Sequence, residues 1–142
     1  ALGLGLSPSM VDEVTTAARV RDVGYLALDG APEAIARRDH AVAARDVLGD
    51  VAFLDQPLEM IDAHHERIDG LGHPYGLVGK ALPVGPRVLA VADTWARLVV
   101  AGTDRLSAVD QCEQGAGTAL DAECVAALRR ALERDQLPGG PA

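Results

Sequence analysis

Two adjacent histidines, His64 and His65, lead into a glutamate and then a glycine-rich loop, and this segment is the part of the sequence best suited to chemistry. Imidazoles are the commonest metal ligands in proteins. The loop contains Gly70 and Gly72, which would let a ligand approach the backbone closely. A polar helix end without any ligand is the simpler alternative, but the loop that follows argues against it. The segment therefore predicts a metal or ligand site.

Three further residues, Asp22, His40 and Asp93, are candidates for the same site. Neighbouring residues on a helix diverge by about 100°, so His64 and His65 can face one point only where a helix ends. Imidazoles mixed with carboxylates suit Fe, Mn or Zn, and also Ni or Co. Such a site holds one metal ion or a pair about 3.5–4 Å apart, and the chemistry that follows is attack of metal-activated water on phosphorus.

Taken alone, each of these three residues has a simpler interpretation. His40, in a first helical turn, could be solvated or hydrogen-bonded locally, and Asp22 could merely decorate a helix end. Asp93 could be an exposed helix carboxylate, although its apolar flanks suggest that it points inward. A buried carboxylate without a partner is costly, so Asp93 would need a metal ion or a cationic side chain.

The elements that must position these residues are mostly helices. Apolar residues recur at helical spacing, and capping residues mark several of the ends. Five helices are predicted, over roughly residues 8–23, 39–48, 57–65, 85–100 and 121–134. A long loop rich in Gly and Pro follows the paired histidines, over 69–86. We expect one domain over 1–136 and a flexible tail over 137–142.

Composition limits the classes of function. The chain has 142 residues, of which 49% are hydrophobic and only 3% aromatic, a balance that favours helices packed on helices. The net charge of −8 argues against binding a nucleic acid polymer, which needs a basic surface. No apolar run has the length of a membrane span. The two cysteines, Cys112 and Cys124, form no ligand motif, so we expect a cytoplasmic protein with reduced thiols.

The motif around the paired histidines is long and ordered. It comprises His64-His65-Glu66, Asp69-Gly70-Leu71-Gly72-His73-Pro74, Gly76-Leu77, Leu82-Pro83, and a helix that runs from Arg87 to Ala92-Asp93. In these residues the chain resembles the HD-GYP family, a branch of the HD metal-dependent phosphohydrolases. The family signature reads H-H-E, D-G-x-G-Y-P, G-L, I/L-P and an arginine-led helix ending in A-D.

The resemblance implies an all-α HD-type bundle of five or more helices that hydrolyses a cyclic dinucleotide, chiefly cyclic di-GMP. It implies one or two divalent ions, iron, manganese or another transition metal. The implied metal ligands are Asp22, His40, His64, His65 and, if a second ion binds, Asp93. Asp22 is also the implied catalytic residue, and Gly70, Gly72 and Arg87 would shape the mouth that meets the nucleotide.

The first half of the chain departs from the family. The namesake segment H-D-x-G-K is here Arg21-Asp22-Val23-Gly24-Tyr25, and His73 replaces the Tyr of the GYP triplet. An arginine cannot ligate a metal because it stays protonated. Arg21 could instead replace the second cation by bridging Asp22 and Asp93. An upstream helix that often brings another ligand in the family would lie before residue 1.

Two hypotheses follow. The chain is either a metal-binding phosphodiesterase domain with weak hydrolysis, or an inactive domain that binds a ligand or a protein partner in signalling. Hydrolysis of a different small phosphate ester is a third, weaker possibility. A homodimer or a fused signalling domain would suit the second hypothesis.

Overall fold

The computed structural model describes residues 2–135, which form a bundle of six α-helices. They are α1 Pro8–Val20, α2 Glu33–Leu48, α3 Asp55–Asp62, α4 Val84–Val100, α5 Arg105–Gln114 and α6 Ala122–Asp135. Short 3₁₀ helices lie at Leu2–Leu4, Val23–Leu28, Ala52–Leu54 and Gly79–Ala81. Pairing between extended segments in this range is limited to two isolated bridges, so the expected all-α HD-type class is confirmed. The tail expected over 137–142 lies outside the described residues.

Two hydrophobic clusters hold the bundle together, and α4 joins them. The first packs α1, α2 and α3 around Leu58, Ile61 and Leu89, all fully buried. The second packs α4, α5 and α6 around Val109 and Val125. Because Val88 of α4 contacts both clusters, α4 carries Asp93 on a helix that is fixed from two sides.

Three of the predicted helix boundaries are wrong. The first helix ends at Val20 instead of residue 23, because residues 21–22 turn into the 3₁₀ helix Val23–Leu28. The second helix begins at Glu33, six residues before Asp39, directly after Pro32, whose fixed φ is compatible with a helix start. The third helix ends at Asp62 instead of residue 65, so His64 and His65 lie in the turn that follows it.

One helix, α5, was not predicted. Its N-cap Asp104 accepts hydrogen bonds from the backbone N–H groups of Leu106 and Ser107. Its buried residues are the small Ala108, Val109 and Cys112, which do not form a broad apolar stripe. Packing against α4 and α6 therefore stabilises α5, although its sequence lacks a clear helical periodicity. No helix within residues 2–135 is both long enough and apolar enough to cross a membrane.

Candidate metal centre

Three imidazoles converge at one point between α2 and the end of α3. Ligand nitrogens of His40, His64 and His65 all lie within 4.8 Å of one another, and the Nε2 atoms of His40 and His65 are 3.3 Å apart. His40 comes from the middle of α2, whereas the adjacent pair lies in the turn after Asp62, the last residue of α3. The helix end gives the pair the freedom that a continuous helix would deny it.

Backbone carbonyls fix the orientation of two of the rings. The Nδ1 of His40 lies 3.0 Å from the carbonyl oxygen of Arg37, and the Nδ1 of His64 lies 2.6 Å from that of Ile61. A carbonyl only accepts, so each Nδ1 carries the proton and donates it. In the neutral form of each ring the Nε2 atom then carries the free lone pair, which is the arrangement of histidines that bind a metal.

Burial disfavours a positive charge on the adjacent pair, His64 and His65. Burial lowers the pKa of His64, and burial together with the neighbouring imidazoles lowers the pKa of His65 to about 3. Both effects disfavour a positive charge on the rings. His64 and His65 therefore keep a lone pair available for a cation near neutral pH.

Asp22 and Asp93 flank the imidazoles, and arginines hold both. The Nε of Arg21 donates to Oδ1 of Asp93 at 2.8 Å, while its Nη2 lies 3.4 Å from Oδ2 of Asp22. The other oxygen of Asp93 is 3.0 Å from the Nε of Arg97, one turn further along α4. Arg21 thus makes the bridge that its position suggested. The Asp22 side chain is 58% exposed, and its Oδ1 is 3.9 Å from Nε2 of His40.

These groups surround a cavity of about 260 Å³. Its walls are Asp22, Tyr25, Arg37, His40, His64, His65, Asp93 and Arg97. The ring of Tyr25 stacks on His40 with centroids 4.3 Å apart, which closes one side of the imidazole cluster. The structure therefore brings all five predicted metal-site residues to one cavity, and their role as ligands stays a prediction.

Comparison with known proteins decides the family. The HD domain model matches residues 31–124. The chain is 30% identical to the 3′3′-cGAMP-specific phosphodiesterase 3 of Vibrio cholerae, and the match covers 86% of the present chain.

This chain belongs to the HD domain family, in its HD-GYP branch.

Further similarities agree with this assignment. The chain is 55% identical to the cyclic di-GMP phosphodiesterase response regulator RpfG of Xanthomonas campestris pv. campestris, over 27% of the chain and 10% of that protein. A crystal structure of a cyclic GMP-AMP-specific phosphodiesterase from V. cholerae has the same fold, with a TM-score of 0.76 and 15% identity over 93% of this chain. The chain spans only 31% of its cGAMP-specific relative and 40% of the solved chain.

Glu66 holds the glycine-rich loop of this HD domain in place, a role that sequence reasoning missed. Its carboxylate is 2% exposed and accepts hydrogen bonds from three successive backbone N–H groups of the glycine-rich loop. Oε1 accepts from Tyr75 and Gly76 at 2.6 and 3.1 Å, and Oε2 accepts from Leu77 at 2.9 Å. The only sequence signal was its place directly after the paired histidines.

The glycines of the loop have geometric roles. A Cβ at Gly72 would lie 2.4 Å from the backbone nitrogen of Arg67, so the loop can fold back only because that residue has no side chain. Gly70 has a φ of +78°, a conformation that favours glycine. The loop places His73 beside His65, with ring centroids 5.1 Å apart. Substrate binding by Gly70 and Gly72 stays a prediction.

Arg87 does not line the histidine cavity. Its Nη1 donates to Oδ2 of Asp121 at 2.9 Å, and both side chains are largely buried. Asp121 in turn accepts from the backbone N–H of Cys124 near the start of α6. The pair joins α4 to α6, and no contact in the described residues tests the predicted role of Arg87 in binding a nucleotide.

HD-domain phosphohydrolases depend on metals, and the donor set of this chain fits such an ion. The three imidazoles are close together and two have their Nδ1 atoms held by carbonyls. Imidazole nitrogen is a ligand for zinc, iron, copper and nickel.

Proposed function

We propose that this chain is a phosphodiesterase domain that holds one divalent transition-metal ion at His40, His64 and His65, and opens a phosphodiester bond of a cyclic dinucleotide, slowly. The observation that carries this proposal is the convergence of three imidazoles on one cavity. The relatives named above act on cyclic di-GMP or 3′3′-cGAMP, which supports this class of substrate. When bound, such an ion supplies Lewis-acid activation of water and of the phosphoryl oxygen.

The residues of the site would serve metal binding, proton transfer and the exclusion of solvent. The three imidazoles would bind the ion, and burial lowers the pKa of His64 and His65, which disfavours their protonation. Asp22 lies at the rim of the cavity with an exposed carboxylate, so it can join the ligand set or accept a proton from attacking water. The ring of Tyr25 covers His40 and limits the entry of solvent from that side.

The contacts of the Asp93 carboxylate favour one bound ion over two. Both oxygens of Asp93 already contact guanidinium groups, those of Arg21 and Arg97. An ion on the Asp93 side would have to displace at least one of these cations or share the carboxylate with it. The fixed charge of Arg21 therefore occupies the region where a second cation would bind.

A second candidate function is ligand binding without hydrolysis, in a homodimer or beside a fused signalling domain. The ion pair between Arg21 and Asp93 favours it, since it leaves less metal chemistry available than a pair of ions would. The two candidates predict the same fold and the same metal ligands, and differ only in turnover.

Metal analysis tests the proposal. Protein purified without chelator should carry one iron or manganese ion per chain, and should cleave cyclic di-GMP or 3′3′-cGAMP in a chromatographic assay. His65→Gln should lose the ion, whereas His73→Gln, a change at an exposed histidine outside the three-imidazole cluster, should keep it. Arg21→His should raise the metal content towards two ions.

The outcomes separate the candidates. Retained metal with cleavage supports the phosphodiesterase, and retained metal with ligand binding but no cleavage supports the second candidate. Protein that takes up no iron, manganese or zinc, even when these are added, contradicts both, because both place a cation on the imidazoles.

A further inference from the structure

Arg21, Asp93 and Arg97 form a series of ion pairs, and Arg97 is the last member, in the wall of the cavity. Arg21 holds Oδ1 of Asp93 at 2.8 Å, and Asp93 holds the Nε of Arg97 at 3.0 Å through Oδ2. Arg21 is itself anchored, because its Nη1 donates to the carbonyl oxygen of Ala18 at 2.9 Å. Asp93 precedes Arg97 by four residues on α4, the spacing and order that place the two side chains in contact.

The terminal nitrogens of Arg97 remain available to donate hydrogen bonds to a ligand. The side chain is 68% exposed, and its two terminal nitrogens make no hydrogen bond to the part of the chain between residues 2 and 135. Arg97 lines the histidine cavity and also a neighbouring cavity of about 250 Å³, whose other walls include Thr94 and Leu120. It therefore lies on the wall between two spaces that both adjoin His64 and His65.

The charges around the cavity favour an anion. Arg37 and Arg97 line it together with Asp22 and Asp93, and both of these carboxylates also contact Arg21. Arg37 is paired with Glu33, whereas Arg97 shares its carboxylate partner Asp93 with Arg21, so the charge of Arg97 is only partly compensated. A guanidinium with free N–H groups is well matched to phosphate oxygens, because two parallel hydrogen bonds can form.

We propose that Arg97 binds the phosphodiester anion of the substrate and positions it beside the three imidazoles. Asp93 orients Arg97, and Arg21 is the positioning residue that holds Asp93. Arg37 is less suited to this role, since its partner Glu33 is exposed, whereas Asp93, the partner of Arg97, is buried and held by Arg21. The inference rests on the proposed function for the class of ligand, a phosphodiester, but it does not require a metal.

Calorimetric titration of cyclic di-GMP into EDTA-treated protein tests the assignment without the metal. Arg97→Gln should raise the Kd by about 10-fold, the lower end of what a hydrogen bond to a charged group contributes. Arg97→Lys should raise it less, because the charge remains while the paired geometry is lost. Arg105→Gln is the matched control, since Arg105 is also an exposed arginine in an ion pair but lies outside both cavities.

Metal content, measured on the same variants before chelation, is the second readout. Arg97→Gln should keep the metal content of the unchanged protein. The assignment is overturned by equal affinities of the unchanged protein and Arg97→Gln, by no measurable binding of cyclic di-GMP to the unchanged protein in EDTA, or by loss of metal together with affinity. Failure of the imidazoles to bind any metal would count against the proposed function alone, because the titration in EDTA is independent of it.

Discussion

Replacing Glu66 by glutamine keeps the shape of the side chain and removes its charge. In the folded protein the carboxylate is buried and accepts three backbone N–H groups, those of Tyr75, Gly76 and Leu77. A glutamine can offer only its oxygen. Its NH₂ group must face at least one of the same donors, so one backbone N–H loses its acceptor and the remaining hydrogen bonds lose their ionic character.

The size of the effect follows from these contacts. A hydrogen bond to a charged group contributes about 1.5–3 kcal/mol, compared with about 1 kcal/mol for a neutral one. Losing one such bond and weakening the others predicts a decrease of about 3 kcal/mol in the free energy of unfolding. That is a large part of the stability of a small domain, about 5–15 kcal/mol.

Urea unfolding measures this free energy, and Glu59→Gln is the matched control. Glu59 is exposed on α3, and its carboxylate has a single long hydrogen bond of 3.4 Å from Gln56. Hydrogen exchange adds a local readout, since the amides of Tyr75, Gly76 and Leu77 should exchange faster in Glu66→Gln while those of α4 change less. If Glu66→Gln is as stable as Glu59→Gln and these amides keep their protection, Glu66 does not hold the loop and the reasoning is wrong.

Two further predictions concern the imidazole cluster. A Cβ at Gly24 would lie 1.9 Å from the carbonyl oxygen of His40, which is helix backbone and cannot move aside. Gly24→Ala should therefore lower the free energy of unfolding by about 3 kcal/mol, the upper range for overpacking, and should reduce metal content, whereas Gly3→Ala, whose nearest atom is 3.5 Å away, should do neither. In metal-free protein the pKa of His65 is about 3 when folded and 6.5 when unfolded, so between these values the unfolded chain binds more protons. Stability measured by urea unfolding should thus fall as the pH is lowered from 6.5, and His65→Gln should show a weaker decline than His73→Gln; equal declines would refute the role of His65.

Much of the site could be predicted because its residues are distinctive in type and spacing. The paired histidines at a helix end and the inward Asp93 follow from residue type and helical periodicity. The bridge from Arg21 was implied by the resemblance, in which an arginine stands where the family has a histidine, and the structure contains these contacts. The long motif also fixed the family, because so many residues in order are rare by chance.

The parts that could not be predicted depend on partners far away in the sequence. Glu66 finds its donors nine to eleven residues later, in a loop whose path depends on Gly72 packing against backbone. Arg97 resembles any exposed helical arginine until the cavities on both sides of it are known. The helix α5 has only small buried residues, so its own sequence gives little sign of the core that stabilises it.

The ion pairs explain how the bundle can keep Asp93 buried without a second cation. The Asp93 side chain is 9% exposed, and an unpaired carboxylate at that depth would cost several kcal/mol or would be protonated. Arg21 and Arg97 satisfy one oxygen each, so neither the fold nor the charge balance requires a second ion there. The imidazole side has the opposite property, since three rings lie close together without a neighbouring arginine paired to them, and burial disfavours a positive charge on His64 and His65. The Asp93 side of the site therefore needs no added cation, whereas the imidazole side can accept one. The asymmetry depends on one residue, because an uncharged side chain at position 21 would leave Oδ1 of Asp93 without its present cation.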